Sequence, residues 1–192
     1  MWSPISGWKQ TLTSYGPGDW QAVANMPAGN TAIVSYPDVQ QLYNDVKLST
    51  YTSMTSSFTE NMNATSSTVG EAAWDIWLNN WNYEIMIWVD NYGQDIANSG
   101  DVLLGTTSIG GQTWDVYRNG PLGSGEELIV ALDHNEQTGT VDIMSTLNYL
   151  SQHGWLPTSP TLTSVDFGAE FASTGGKNET FQVSNYTINA KS

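Results

Sequence analysis

The sequence predicts an all-β domain of the sandwich or barrel type, and two observations carry that prediction. Short runs rich in β-branched and aromatic residues recur at intervals close to the ~8–12 residues typical of such folds. Turn signals separate many of these runs, at Gly16-Pro17-Gly18, at Gly110-Gly111 and at 120–123. A chain of 192 residues is suited to one large β domain, so we treat 1–192 as a single domain.

The predicted strands follow one another along most of the chain. They cover 31–36, 46–60, 72–78, 82–89, 101–104, 112–118, 127–132, 162–171 and 181–189. Pro37 stops the first strand, and the second alternates polar and apolar residues as a solvated strand does. Residues 1–30 are rich in glycine and proline and are assigned no strand.

One segment departs from the β pattern. Apolar residues fall on one helical face at Val141, Met144, Leu147 and Leu150. This spacing predicts a single helix over 142–154, of about three turns. Thr138 or Thr140 is the expected cap at its start, and Gly154 lies where a C-terminal cap belongs.

The composition excludes several partners and suggests one. The net charge of -14 would repel a nucleic acid backbone or an anionic membrane, so neither is an expected partner. Only 12% of residues are charged, while the chain has 9 Trp and 9 Tyr among many Asn, Ser and Thr. Such a neutral, aromatic-rich surface suits uncharged hydroxylated ligands such as sugars. The alternative is an extracellular β domain whose Thr and Trp simply follow strand propensity.

The absence of cysteine excludes disulfides, thiolate metal sites and thiol catalysis. No run of 18 apolar residues predicts a membrane span. Residues 1–4 lack a basic segment followed by an apolar core, so we expect no signal peptide in this chain. His134 and His153 are isolated and are interpreted as surface residues. We therefore expect no metal and no cofactor.

Strand alternation places carboxylates on the side away from the predicted core. Alternate side chains of a strand point to opposite faces of its sheet. In three strands one face is apolar, and the other carries Asp75, Glu84, or Asp166 with Glu170. Each alone is an ordinary solvent-facing residue of a half-buried strand. Because charged residues are scarce here, the set together indicates glycoside hydrolysis, which uses two carboxyl groups across a cleft.

The strings around these carboxylates resemble glycoside hydrolase family 12, the endo-β-1,4-glucanases and xyloglucanases with a β-jelly-roll fold. YEIMIWVDNYG (83–93) is similar to the family's nucleophile strand, and VDFGAE (165–170) followed by STGG (173–176) to its acid/base strand. GGQTWDVY (110–117) and the predicted helix fall in matching order between them. The resemblance implies a jelly-roll sandwich of two antiparallel sheets with the helix packed on the convex side.

The resemblance also implies a retaining mechanism with no metal. Glu84 would be the nucleophile, Glu170 the acid/base, and Asp75, in AWDIW (73–77), the carboxyl group that holds Glu84. The two glutamates should face each other about 5–5.5 Å apart. Asp75 should be adjacent to Glu84 across the strand pair. The candidates for sugar contact are Trp2, Trp77, Met86 and Trp88, although Trp77 suits core packing equally well.

The beginning of the chain departs from the family pattern. Family members carry an Asn-x-Trp element on an early strand, whereas here Trp2 follows Met1 directly, which implies that part of the first strand is missing. Phe171 stands where many members have proline after the acid/base. We expect a secreted monomer that hydrolyses cellulose, mixed-linkage glucan or xyloglucan. The alternatives are a carbohydrate-binding jelly-roll module without turnover and a structural or adhesion sandwich; retention of both glutamates favours the enzyme.

Overall fold

The computed structural model describes residue 3 and residues 8–96, 100–121 and 127–192. These residues form twelve strands: β1 (Lys9–Gly16), β2 (Asp19–Asn25), β3 (Asp38–Lys47), β4 (Ser53–Met62), β5 (Thr68–Leu78), β6 (Tyr83–Tyr92), β7 (Val102–Ile109), β8 (Gln112–Asn119), β9 (Glu127–Leu132), β10 (Thr138–Val141), β11 (Thr161–Thr174) and β12 (Glu179–Lys191). A 3-10 turn covers Leu48–Thr50, and one α-helix, α1, covers Ile143–Gln152.

The strands form two sheets, which confirms the predicted sandwich. The smaller sheet has the order β1-β2-β12-β4-β10, and the larger has the order β3-β11-β5-β6-β9-β8-β7. The pairs are antiparallel except for β6 and β9, which run parallel. The last two strands of the chain both lie between earlier ones: β11 between β3 and β5, and β12 between β2 and β4.

The core fills the space between the sheets. Phe58 on β4 meets Trp74 on β5 with ring centroids 5.1 Å apart, and Trp74 lies 4.4 Å from Phe167 on β11. The Trp74 indole donates a hydrogen bond to Ser56 Oγ at 3.1 Å, which satisfies its one polar atom. The apolar alternation predicted for β5, β6 and β11 therefore faces the core, as expected.

A buried carboxyl pair also lies between the sheets. Glu60 on β4 and Asp90 on β6 are 3% and 1% exposed, and their side chains are hydrogen-bonded to each other. The Tyr92 hydroxyl donates to Asp90 Oδ2 at 2.6 Å. Burial, followed by the hydrogen bond with Asp90, raises the pKa of Glu60 to about 10. The pair therefore keeps a proton far above the usual range of a carboxyl group.

The helix forms where its period predicts, with a different cap. Asp142 caps α1, and its Oδ1 accepts from the Ser145 N–H at 2.9 Å. Thr138 and Thr140 lie in β10 instead, so the predicted threonine cap is wrong. Gly154 has a φ of +71° just past the helix, as expected of a terminating glycine. The helix contacts β4 of the smaller sheet. No helix among the described residues is both long and apolar enough to cross a membrane.

The first third of the chain differs from the sequence-based prediction. The predicted strand at 31–36 is wrong, since only an isolated bridge joins Ser35 to Phe171. Two of its residues with large side chains are buried all the same: Val34 is 1% and Tyr36 4% exposed. β1 and β2 form within the segment that was assigned no strand, on either side of the predicted turn at 16–18.

The predicted strand at 46–60 is two strands in the structure. β3 ends at Lys47, the turn Leu48–Thr50 follows, and β4 begins at Ser53. β4 is half-buried rather than solvated, because its alternate residues, including Met54 and Phe58, face the core. The predicted alternation of polar and apolar residues is therefore present, but the prediction missed that one side of the strand faces the core.

Candidate active site

The outer face of the larger sheet carries a cleft of about 710 Å³. Its floor is formed by β11, β5 and β6, which are consecutive in the sheet. The acidic residues that line it include Asp75, Glu84, Glu127, Asp166 and Glu170, and the aromatic residues are Tyr36, Trp77 and Trp81. The fold thus brings together the carboxylates that strand alternation placed on three separate strands.

Glu84 is on β6 and Glu170 is on β11, the two strands on either side of β5. They are paired with residues toward opposite ends of β5, on the face that forms the cleft. Glu84 is paired with Trp77, and Glu170 is paired with Glu71. Between these positions lie Asp75 and Ala73, the latter paired with Gly168. The two glutamates therefore flank a strip of floor whose centre has small side chains.

The glycine in this strip is required by a close backbone approach. A Cβ added at Gly168 would lie 2.1 Å from the Pro37 carbonyl oxygen. The same segment places Tyr36 in the cleft, where its hydroxyl donates to the Ala73 carbonyl at 3.1 Å. Sequence analysis assigned Tyr36 to a strand and missed this position.

Asp75 is adjacent to Glu84 across the strand pair, but it is not directly opposite it. The register pairs Asp75 with Met86 on β6 and with Asp166 on β11, whereas Glu84 is two pairs further along, opposite Trp77. Asp75 and Glu84 are diagonal neighbours on one face. Asp75 is 5% exposed, and its Oδ1 has no hydrogen-bond partner. Burial, followed by the charges of Glu170 and Glu84, raises its pKa well above the ordinary value.

The other carboxyl groups of the cleft also have pKa values above the ordinary range. Burial, followed by the charges of Glu127 and Glu170, raises the pKa of Glu84 to about 8. Burial is the first cause for Glu127 and Asp166 as well, and raises both pKa values to about 7. No lysine or arginine among the described residues lines this cleft. Since so many neighbouring carboxylates cannot all ionise, protonated and ionised members coexist over a broad pH range.

Two tryptophans form one wall of the cleft. The ring centroids of Trp77 and Trp81 are 5.6 Å apart, and Trp81 is 44% exposed. Trp81 ends a run of three residues in the left-handed region, with φ values of 53° at Asn79, 54° at Asn80 and 66°. The Asn80 N–H is held by Asp45 Oδ1 at 2.8 Å. Strain of this kind persists where the surroundings enforce it, often at functional sites.

The remaining candidates for sugar contact lie deeper. Met86 and Trp88 are 2% and 5% exposed, and the Trp88 indole N–H points to Met86 Sδ at 3.5 Å. Met86 lines the main cleft. Trp88 lines an adjoining cavity of about 120 Å³ that shares Glu127 and Glu170 with it. Trp2 lies outside the described residues.

Three further residues in or directly beside the cleft were missed by sequence analysis. Glu71 lies just before the predicted strand 72–78, although it has the same strand parity as Asp75. Glu127 begins a predicted strand, but only the parallel pairing of β6 with β9 places it opposite Glu84. Trp81 was assigned to the turn alone. Among the described residues, no group of three His, Cys, Asp or Glu side chains is arranged to hold a metal ion.

Comparisons with known proteins identify relatives of this chain. The xyloglucan-specific endo-β-1,4-glucanase A of Emericella nidulans is 28% identical over 176 residues, which cover 88% of this chain and 72% of that protein. The native family 12 xyloglucanase from Bacillus licheniformis has a TM-score of 0.82 and 25% identity, over 99% of this chain and 90% of its own.

A third relative has a related fold and a bound sugar. The xyloglucanase domain of NopAA, an effector from Sinorhizobium fredii solved in complex with cellobiose, has a TM-score of 0.86 at 25% identity. It covers 99% of this chain and 89% of its own. The family model described as glycosyl hydrolase family 12 matches residues 6–191. The chain therefore belongs to glycosyl hydrolase family 12 and is a glycoside hydrolase.

Proposed function

We propose that this enzyme is a retaining endo-β-1,4-glucanase in which Glu84 is the nucleophile and Glu170 the acid/base. The observation that supports this most is the placement of both glutamates on one cleft, among carboxyl groups that cannot all be ionised. A retaining hydrolase needs one protonated and one ionised carboxyl group at the same pH. The division of roles follows the motifs around the two residues.

The reaction takes two steps. Glu84 attacks the anomeric carbon while Glu170 gives its proton to the departing glycosidic oxygen, and a glycosyl-enzyme intermediate forms. Glu170, now a carboxylate, then takes a proton from water, whose oxygen attacks the same carbon and releases Glu84. Asp75 lies diagonal to Glu84, largely buried and with a raised pKa. In this proposal its protonated carboxyl group donates a hydrogen bond to the ionised nucleophile.

A chain of glucose units is the substrate that suits the cleft. The exposed face of Trp81 and the neighbouring Trp77 can cover pyranose rings, and Asp38 and Gln40 on β3 offer polar partners to hydroxyl groups at the other side. The names of the relatives make xyloglucan the first β-1,4-glucan to test. Because such polymers do not cross membranes, we expect the enzyme to act outside the cell, as a monomer.

The two glutamates are distinguished by azide rescue. Glu84→Ala should abolish hydrolysis, since no covalent intermediate can form, and azide should restore turnover of an activated β-glycoside with an α-glycosyl azide as product. Glu170→Ala should still form the intermediate from a substrate with a good leaving group. Azide should then attack that intermediate and give the β-azide.

Reversed azide stereochemistry would mean that the roles are exchanged. Full activity of both variants on xyloglucan, barley β-glucan and carboxymethylcellulose would place the chemistry elsewhere. An α-configured first product from the wild-type chain, measured by NMR, would contradict retention. If the wild-type chain binds cello-oligosaccharides and releases no reducing sugar from any of the three glucans, the binding-module alternative is favoured.

A further inference from the structure

A further carboxyl group, Glu71, lies beside Glu170 and has no part in the mechanism above. The two residues are directly opposite each other in the pairing of β5 with β11, and their side chains are hydrogen-bonded to each other. Glu71 is fully buried, with 0% of its surface exposed. Two carboxyl groups can form such a bond only if one of them keeps a proton.

A donor fixes one oxygen of Glu71 and leaves the other for Glu170. The Gln94 side-chain amide donates to Glu71 Oε2. Gln94 is itself held by Asn91, whose Oδ1 accepts from the Gln94 N–H at 3.0 Å and whose Nδ2 donates to the Gln94 carbonyl at 3.1 Å. Glu71 Oε1 is buried and has no donor among the described residues. Oε1 is therefore the oxygen available to share a proton with Glu170.

We propose that Glu71 is a positioning residue that stays protonated and donates its O–H to Glu170. The inference rests on the proposed role of Glu170 as acid/base. In the first step the proton of Glu170 passes to the leaving oxygen as that bond breaks, and Glu71 keeps its own proton. The Glu71 hydrogen bond then strengthens as negative charge develops on Glu170. In the second step Glu170 takes its proton from water, and the neutral pair is restored.

In these surroundings, the hydrogen bond with Glu71 opposes the rise that burial causes in the pKa of Glu170. The other titratable groups that line the two cavities around Glu170 are all acidic: Tyr36, Asp38, Asp75, Glu84, Asp95, Asp101, Glu127 and Asp166. No lysine or arginine of the described chain lines either cavity. Burial raises the pKa of Glu170, whereas the hydrogen bond with Glu71 lowers it. Glu71 thereby keeps Glu170 acidic enough to protonate an alkoxide leaving group.

The test compares Glu71→Leu with Glu71→Gln by the pH dependence of kcat/KM on xyloglucan. Leucine removes the donor, so the basic limb, where Glu170 loses its proton, should move up by about one pH unit. The plateau should fall by about 10-fold with the polysaccharide but little with an aryl glycoside whose leaving group needs no acid. Glutamine still accepts from Gln94 and donates to Glu170, so the basic limb should stay in place.

Glu60→Gln is the matched control, because Glu60 is also a buried carboxyl in a carboxyl pair but lies outside the cleft. It should leave the basic limb unmoved. The inference is overturned if the basic limb stays in place in Glu71→Leu, or if it moves equally in all three variants. In either case, hydrolysis by the wild-type chain still upholds the proposed function. Absence of wild-type hydrolysis would instead count against the proposed function.

If Glu71→Leu does not fold, carboxyl ¹³C titration of the wild-type chain decides, with Glu71→Gln assigning the Glu71 resonance. Glu71 should remain protonated at the pH at which Glu170 has ionised. Ionisation of Glu71 before Glu170 would overturn the inference.

Discussion

Glu60→Gln should stabilise the protein at neutral pH and leave its stability in acid unchanged. Glu60 has a pKa of about 10 in the fold against an ordinary value of 4.5. Below pH 4.5 it is protonated whether the chain is folded or not. Above that pH the unfolded chain releases the proton while the folded chain keeps it, so the free energy of unfolding falls with rising pH until about 10.

The size of the effect follows from this window. A pH of 7 is about 2.5 units above the pKa of Glu60 in the unfolded chain. At about 1.36 kcal/mol per unit, the free energy of unfolding has therefore fallen by ~3.4 kcal/mol at pH 7. Glutamine cannot ionise, and its amide can still donate to Asp90, so the variant avoids most of this loss. For a chain of this length, ~3 kcal/mol raises Tm by roughly 6–12 °C.

Thermal melts of both proteins between pH 4 and pH 8 measure the effect. The two curves of Tm should meet near pH 4 and separate steadily above it. The control is Asp19→Asn, which removes one negative charge from an exposed position and should shift Tm by little at any pH. Parallel curves for wild type and Glu60→Gln would refute the reasoning, because the proton held by the pair would then not be linked to folding.

Three further changes test the cleft. Asp75→Asn should lower kcat/KM by about 10-fold and shift the acidic limb of the profile with Tm retained, and an unchanged profile would remove Asp75 from the mechanism. Gly168→Ala drives a Cβ to 2.1 Å from a backbone oxygen and should cost ~3 kcal/mol in urea unfolding; Gly105→Ala, where the added atom meets nothing within 4 Å, should cost under ~1 kcal/mol. Trp81→Ala should raise KM for xyloglucan by about 10-fold with kcat retained, through loss of ~1.4 kcal/mol of contact. Trp8→Ala, at 43% exposure against 44%, is its control off the cleft, and equal effects of the two would contradict the assignment.

The sequence predicts this site as far as local periodicity reaches. Alternation within a strand is a local property, so the cleft-facing positions of Asp75, Glu84 and Glu170 could be read without the fold. Glu127 could not, because its position opposite Glu84 depends on a parallel pairing between strands about forty residues apart. Such pairings are set by sheet topology and leave no local pattern.

The error at 31–36 has a different cause. Val34 and Tyr36 are buried beside β11, and the Val34 N–H donates to the Phe171 carbonyl at 2.8 Å. This buried position suits their large side chains, although the segment is not a strand. Apolar runs report burial, and a short buried segment without a ladder gives the same signal as a strand. β1 shows the converse, since it is largely exposed and carries no apolar face to detect.

The insertion of β11 and β12 between earlier strands affects how the enzyme is made. When only the first 150 residues or so have left the ribosome, each sheet still lacks a strand from its interior, and β5 has no partner on the side of Glu170. Folding must then wait for contacts between distant parts of the chain, which is slow. Glu170, the proposed acid/base, reaches the cleft on one of these late strands, so the proposed active site and both sheets are completed together.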